Sequence, residues 1–363
     1  MKYLNTVVIV LIVVILGWFF MRDEEELDIE TKYSTEDFIY KWFKNDNGTL
    51  ATYIQDGETL DEDLVSGRET LTETMGLWML YALEKEDQDL FEIIYGQLND
   101  YFLDKDGFLY WKLEEDGKAR VSTNALIDDI RIAEALLNAA DKWNEDKYRS
   151  TSGLISEYLS QHNVKNGIFT DYYERNDDYA SESVTLSYVD LEGLQLLGES
   201  DTLDSAAAEK TMEVLEDVPI DNGFFPKSYN AESEEYQFDD ELNMVDQAIV
   251  AYHLSRTGQS SEEFLDFISR EMSERGIVHG MYDRVSGEPI VEYESPAVYG
   301  ILTLYLLEIG EENLAEDVFN RMIEFRVDDT DSEYYGGYSI TDDDTHIFDN
   351  IIPLLAEQRM DQR

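Results

Sequence analysis

The sequence predicts an all-α protein folded as an (α/α)6 toroid, which is a ring of six helical hairpins. A glycine that precedes an apolar or aromatic stretch recurs in steps of 59, 60, 56, 53 and 60 residues. Two segments with apolar residues at helical spacing lie between successive glycines. A unit of this length must stack on its neighbours to bury its apolar face. The repeated glycines are Gly48, Gly107, Gly167, Gly223, Gly276 and Gly336.

Five helix pairs follow from this spacing, and the two ends of the chain supply the sixth. Closure of the ring is favoured because neither end shows the polar capping repeat of an open solenoid. The alternatives are an open solenoid and an irregular all-α protein whose glycines merely end helices. The predicted pairs are 70–86 with 87–103, 122–143 with 147–163, 182–198 with 205–218, 240–257 with 260–274, 294–309 with 312–326, and 34–45 with 345–360.

Composition limits the possible partners and chemistry. The 363 residues include 81 acidic and 27 basic side chains, for a net charge of −54. Such a charge repels phosphate backbones, so a nucleic-acid partner is not expected. The absence of cysteine excludes disulfides, thiolate chemistry and the lipid attachment of a lipoprotein. The four histidines lack zinc spacing and no glycine-rich phosphate loop occurs, so neither a metal nor a cofactor is expected.

The first 33 residues predict a membrane anchor. Residues 4–21 form an apolar run long enough to span a bilayer, after a short cytoplasmic stub at 1–3. Bulky Trp18, Phe19 and Phe20 disfavour a cleaved signal peptide, so we expect a single-pass signal anchor. Residues 22–33 are predicted as an acidic spacer, and 34–363 as a toroid outside the cell membrane.

Carboxylates stand at the start of two strongly apolar helical segments. Glu73 lies in LTETMGLWMLYAL, and Asp128 and Asp129 lie in NALIDDIRIAEALLNAADKW. Acids in a first helical turn also interact favourably with the helix dipole, which is the simpler explanation. Aromatic residues follow the repeated glycines, and they could either line a sugar-binding groove or close the core.

Four segments resemble glycoside hydrolase family 8 in their order and spacing. They are NGTLAT at 47–52, TETMGLWM at 72–79, GFLYWKL at 107–113 and IDDIRIAEAL at 127–136. This family of (α/α)6 barrels includes endoglucanases, chitosanases and xylanases. The resemblance implies a hydrolase of β-linked polysaccharide, endo-acting and inverting. It places the general acid on Glu73, a sugar-stacking aromatic on Trp111, and the second aspartate of the family's D-x-D pair on Asp129. The first aspartate of that pair falls on Ile127.

The resemblance also places the catalytic base on Asp246, although the arginine and proline of the family motif do not follow it. Asp128, Arg131 and Trp78 are further candidates for substrate binding. An inverting pair of carboxyl groups stands roughly 6.5–9.5 Å apart, with a water between them. Aromatic neighbours are expected to raise the pKa of Glu73 by desolvation, as a general acid requires.

Three functional hypotheses follow. The first is a membrane-anchored hydrolase that cuts an exopolysaccharide, with a membrane polysaccharide synthase as a candidate partner. The second is an inactive polysaccharide-binding or assembly subunit on the same fold, because Thr74 and Met75 replace the family's Gly-Gln after the acid. The third is a scaffold for protein partners, which would expose an apolar patch in place of a polar aromatic groove.

Overall fold

Twelve α-helices follow one another in the computed structural model, which describes residues 31–57, 64–200 and 202–363. Six of them form an inner layer and six an outer layer, alternating along the chain. The inner helices are α2 (Thr72–Glu84), α4 (Leu126–Trp143), α6 (Leu191–Glu199), α8 (Met244–Arg256), α10 (Pro296–Glu308) and α12 (Phe348–Asp361). The outer helices are α1 (Ser34–Phe43), α3 (Gln88–Gln97), α5 (Asp146–His162), α7 (Ser205–Glu216), α9 (Glu262–Glu274) and α11 (Glu312–Ile323).

The inner helices form a closed ring. Each packs on the next, from α2 through α4, α6, α8 and α10 to α12, and α12 packs on α2. Helix α10 is buried almost throughout, as expected for a helix with apolar residues on all sides. The outer helices α9 and α11 instead bury one apolar stripe each. The predicted toroid of six hairpins is therefore confirmed, including its closure.

The repeated glycines link neighbouring units of the ring. All six have a φ angle between 75° and 99°, in the left-handed region that favours glycine. A Cβ at Gly107, which follows α3, would stand 2.3 Å from the carbonyl oxygen of Leu154 in the next outer helix, α5. A Cβ at Gly336, which follows α11, would stand 2.2 Å from the carbonyl oxygen of Ser34 in α1. These turns thus pack on the following outer helix, and the last one packs on the first helix.

Short antiparallel strands connect outer helices to inner helices, on the face where the inner helices begin. β1 (Thr70–Leu71) pairs with β2 (Lys112–Leu113), and β10 (Glu241–Asn243) pairs with β11 (Met281–Asp283). β3 (Val164–Lys165) pairs with β4 (Ile168–Phe169), and β5 (Tyr173–Glu174) pairs with β6 (Tyr179–Ala180). β7 (Ser183–Thr185), β8 (Ser228–Asn230) and β9 (Glu235–Gln237) form a three-stranded sheet.

Residues Tyr33–Arg363 form one compact unit. The predicted span at 4–21 and nearly all of the acidic spacer lie outside the described residues. Within the described part of the chain, no helix has the length and apolar character needed to cross a membrane.

Candidate active site

Glu73 lies in the first turn of α2, immediately after β1. The pairing of β1 with β2 sets Leu71 opposite Lys112, and the backbone N–H of Thr72 donates to the carbonyl oxygen of Trp111 at 3.0 Å. Glu73 and Trp111 therefore belong to one local structure. The Glu73 side chain is partly buried, and no described residue makes a hydrogen bond to its carboxyl group.

Asp128, in the first turn of α4, is fixed beside Glu73. Its Oδ2 accepts a hydrogen bond of 2.9 Å from Thr72 Oγ1, and its Oδ1 accepts one of 2.9 Å from Arg131. Asp128 is only 5% exposed. Three residues singled out in the sequence, Glu73, Asp128 and Arg131, thus come together at the junction of α2 and α4.

This junction raises the pKa of Glu73 to about 7, through burial first and the charge of Asp128 second, while Arg131 opposes the rise. Burial also raises the pKa of Asp128, against the effects of Arg131 and Thr72. A carboxyl group with a pKa near neutrality is protonated in a useful fraction of molecules at physiological pH. Glu73 can therefore hold a proton where an ordinary glutamate would have lost it.

Asp246 lies in the first turn of α8 and is held by two groups. Its Oδ1 accepts a hydrogen bond of 2.8 Å from Ser187 Oγ, and its Oδ2 accepts one of 2.5 Å from Lys227 Nζ. Both donors lie at one end of the β7–β8 pair, Ser187 shortly after β7 and Lys227 directly before β8, where the N–H of Leu186 donates to the carbonyl oxygen of Lys227 at 3.0 Å. Asp246 is thus an ion-paired carboxylate.

Tyr188 joins these two halves of the site. Burial raises the pKa of its hydroxyl, and the negative charges of Asp128, Asp171, Glu73 and Asp246 add to the rise. The hydroxyl therefore lies within range of the charges of all four carboxyl groups. The side chain is 36% exposed, and no hydrogen bond to it occurs within the described residues.

Asp171 is a further carboxylate at this position. Its Oδ1 accepts a hydrogen bond of 2.6 Å from the N–H of Thr185, and its Oδ2 accepts one of 2.9 Å from the Thr185 hydroxyl. Burial raises the pKa of Asp171 to about 6, which Thr185 and Lys227 partly oppose.

A cleft of about 580 Å³ opens beside Trp111, Asp171 and Tyr188, and its lining does not include Glu73 or Asp246. It presents aromatic side chains beside carboxylates, an arrangement suited to sugar rings and their hydroxyl groups. Its lining comprises Trp111, Thr123, Asn124, Ala125, Asp171, Tyr172, Glu174, Asp177, Tyr179, Thr185 and Tyr188.

Two predicted substrate-binding residues lie elsewhere. Asp129 is 1% exposed and turns to Asn124, whose amide donates to Asp129 Oδ2 at 2.6 Å. Trp78 is 3% exposed and stacks on Tyr81 with ring centroids 5.0 Å apart. Both side chains are enclosed by protein, so neither is placed to contact a substrate. Of the two adjacent aspartates of α4, Asp128 is the one that faces Glu73.

Below the site, an ionic cluster fixes the segment that carries Tyr188. Asp190 caps α6 at the N–H of Gly193 and receives two hydrogen bonds of 3.2 Å from Arg256. Arg256 also donates to Glu134 at 2.8 Å. Burial opposes ionisation of Asp190, yet Arg256 and His253 lower its pKa to about 2. The cluster adjoins an axial cavity of about 340 Å³.

Tyr188, Asp171 and Lys227 were missed at the sequence level, although the repeat contained a signal for two of them. Asp171 and Lys227 each stand four residues after a repeated glycine, as Trp111 does. Equivalent positions of neighbouring units meet on the same face of a ring. Tyr188 is the last residue of a three-residue 3₁₀ turn, Leu186–Tyr188, and the described part of the chain contains no second 3₁₀ turn.

Comparison with known proteins assigns the family. The model of glycosyl hydrolases family 8 matches residues 49–171, which include Glu73, Trp111 and Asp128. The putative lipoprotein YdaJ of Bacillus subtilis (strain 168) is 36% identical over 336 residues, covering 92% of this chain and 89% of that protein. This chain belongs to glycosyl hydrolase family 8.

Solved structures show the same fold. An α-amylase from Clostridium perfringens matches with a TM-score of 0.82 and 26% identity, over 90% of this chain and 96% of that one. The family 8 endoglucanase Cel10 from Klebsiella pneumoniae matches with a TM-score of 0.60 and 18% identity, over 91% of this chain and 99% of that one. This family 8 member is thus a glycoside hydrolase by descent, with the fold of its relatives along nearly the whole chain.

Proposed function

We propose that this family 8 member hydrolyses glycosidic bonds of a polysaccharide bound in the cleft, with Glu73 as the general acid and Asp246 as the general base. The observation that supports this most is the contrast between the two carboxyl groups. Glu73 has its pKa raised to about 7 by burial and Asp128, whereas Asp246 is ion-paired with Lys227. Glycoside hydrolysis needs one carboxyl group that donates a proton and a second one that acts as a base.

In the proposed reaction, the Glu73 proton passes to the glycosidic oxygen as the bond between that oxygen and the anomeric carbon breaks. A water attacks the anomeric carbon from the opposite face and loses its proton to Asp246. The anomeric configuration is inverted in a single displacement. Exchange with solvent then returns a proton to Glu73 and removes one from Asp246.

The substrate contacts are proposed from the lining of the cleft. Trp111, Tyr172 and Tyr179 offer ring faces for stacking on sugars. Asp128 is fixed by Thr72 and Arg131 and is buried, so its proposed role is to keep Glu73 protonated rather than to contact the sugar. Endo action on an extended chain is proposed from the family resemblance.

Two linkage classes are candidates. A β-linked glycan is the first proposal, on the strength of the sequence resemblance to family 8 endoglucanases and xylanases. An α-linked glucan is the second, because the matched Clostridium perfringens protein is described as an α-amylase and its sequence is 26% identical along 90% of this chain. The same carboxyl pair serves either linkage, since the enzyme needs only an acid and a base on opposite faces of the bond.

The place of action is proposed from residues 4–21. An uncleaved anchor there would hold the toroid at the outer face of the cell membrane, next to an exopolysaccharide leaving its synthase. The chain has no cysteine, so a lipid-modified cysteine cannot supply this anchor.

The test is release of reducing ends by the purified protein from lichenan, xylan, chitosan and starch. Wild type is compared with Glu73→Gln, and the configuration of the new reducing end is read by NMR. We expect Glu73→Gln to lose a factor of about 10²–10⁴ in kcat, the usual contribution of general acid catalysis.

Hydrolysis of equal rate in both proteins would refute the assignment of Glu73. Retention of configuration would refute the single displacement. Binding of a glycan without hydrolysis by wild type would instead support the polysaccharide-binding subunit.

A further inference from the structure

Lys227 makes the closest polar contact with Asp246. Its Nζ lies 2.5 Å from Asp246 Oδ2, and the two side chains are 39% and 20% exposed. The opposite oxygen of Asp246 is occupied by Ser187 Oγ at 2.8 Å. A carboxylate with one donor on each oxygen has a defined orientation.

The three-stranded sheet determines where Lys227 lies. The N–H of Lys227 donates to the carbonyl oxygen of Gln237 at 2.8 Å, and its own carbonyl oxygen accepts from the N–H of Leu186 at 3.0 Å. The register sets Thr185 opposite Ser228, directly after Lys227. The same pairing thus delivers Ser187 and Lys227 to the two oxygens of Asp246.

We propose that Lys227 is a positioning residue for the water-activating carboxylate, which it aims towards the attacking water and keeps in the charged form. This proposal rests on the assignment of Asp246 as the general base in the proposed function.

The surroundings explain why a cation is needed at this point. The Tyr188 hydroxyl lies within range of the charge of Asp246 and of three further carboxyl groups, those of Asp128, Asp171 and Glu73. The charge of Lys227 also acts on Asp171, whose pKa it lowers. Without Lys227, no cation would offset the repulsion between Asp246 and the other carboxylates. Repulsion between like charges favours protonation of a carboxylate. Ser187 and Lys227 contact Asp246, and Tyr188 lies within range of its charge. The other charged groups that act on this part of the site are Asp171, Glu73, Asp128 and, through Asp128, Arg131.

The test compares Lys227→Met with Lys227→Arg across the pH profile of kcat/KM. A base must be ionised, so activity is lost on the acid side as Asp246 takes up a proton. Removing the cation makes protonation easier and moves this limb to higher pH. We expect Lys227→Met to shift the limb upward by about one pH unit, giving roughly tenfold less activity on the acid side and a smaller loss on the alkaline side. Lys227→Arg should keep the wild-type limb.

Lys165→Met is the matched control. Lys165 pairs with Glu232 at 3.0 Å, and its side chain is 32% exposed. It lies on β3, outside the site, so its variant should leave the profile unchanged. A uniform loss of activity in Lys227→Met with an unmoved acid limb would overturn the proposal.

A second measurement does not depend on turnover. The Asp246 carboxyl carbon, assigned with Asp246→Asn, is titrated by ¹³C NMR in wild type and in Lys227→Met. A higher midpoint in the variant supports the proposal, and an equal midpoint overturns it. If wild type hydrolyses no glycan, the proposed function fails, yet this titration still decides whether Lys227 keeps Asp246 charged.

Discussion

Asp128 and Asp129 are adjacent in the sequence but occupy different environments. Successive residues of an α-helix point about 100° apart, so one of the pair faces the ring centre and the other faces the outer layer. The sequence cannot decide which one, because the phase of α4 depends on its packing against α2 and α5. The sequence resemblance favoured Asp129, whereas the structure turns Asp128 to Thr72 and Glu73.

A pair of variants tests this difference. We expect Asp128→Asn to lower kcat/KM by about 10²-fold, because a carboxylate beside the general acid is lost from the site. Asp129→Asn keeps the shape of the buried side chain and its contact with Asn124, so activity should stay within a few-fold of wild type. Steady-state kinetics on the best substrate measures both. The opposite ranking would show that Asp129 is the functional aspartate.

Glu73 should make the fold less stable at alkaline pH. Its pKa is raised to about 7 in the folded state by burial and Asp128, against about 4.3 in an unfolded chain. At a pH between these values, Glu73 is ionised in the unfolded chain but protonated in the folded protein. The free energy of unfolding of wild type therefore falls as pH rises from about 4.3 to about 7.

Glu73→Gln lacks this loss, so we expect equal stability near pH 4 and a gain of about 2 to 3 kcal/mol at pH 8. Urea unfolding at both pH values measures the difference. A variant less stable than wild type at pH 8 would contradict a raised pKa for Glu73.

At the scale of elements, helices could be predicted and strands could not. The twelve helices appear where apolar residues recur with the helical period, although the segment predicted as a helix at 182–198 forms β7 and a 3₁₀ turn before α6 begins at Leu191. The strands have two or three residues each, too short for an alternating pattern to show. No sequence pattern therefore marks Ser187, Tyr188 and Lys227, which lie at the ends of these strands. Glu73 lies at the start of a predicted helix, and Asp246 was placed by the family resemblance.

The turn glycines offer a test with an internal control. Gly107 and Gly276 occupy the same position of their units, with φ angles of 99° and 75°. An added Cβ would strike the Leu154 carbonyl oxygen at 2.3 Å in the first case and meet nothing within 4 Å in the second. We expect Gly276→Ala to cost about 1 kcal/mol for backbone strain alone.

Gly107→Ala should cost at least about 2 kcal/mol more, because the turn must also move away from α5. The free energies of unfolding of both variants measure the two effects. Equal costs would mean that the turn does not depend on its contact with the next outer helix.

At the scale of the whole molecule, the net charge of −54 is the dominant feature. Like charges spread over one compact unit repel one another and oppose folding. Ion pairs such as Arg256 with Glu134 and Arg321 with Glu294 offset this only locally. The net charge follows from the sequence alone, whereas the acidic partner of each basic side chain could not be predicted from it.

Screening should therefore stabilise the protein. Raising sodium chloride from about 0.02 M to about 0.5 M shortens the range of charge interactions well below 10 Å. We expect the melting temperature to rise by at least about 3 °C, as measured by scanning calorimetry. Choline chloride at the same ionic strength should give a similar rise. A fall in melting temperature would show that the ion pairs outweigh the general repulsion.

The contact of Gly336 with Ser34 joins the last turn of the ring to its first helix. During synthesis, α1 leaves the ribosome long before α12, on which it packs. The hairpins in between can fold on their neighbours as they appear. α1 can contact α2 early, through Tyr40 on Trp78 and Glu36 with Tyr81, whereas its contact with α12 must wait for about 300 further residues. Closure of the ring is thus a late event in folding.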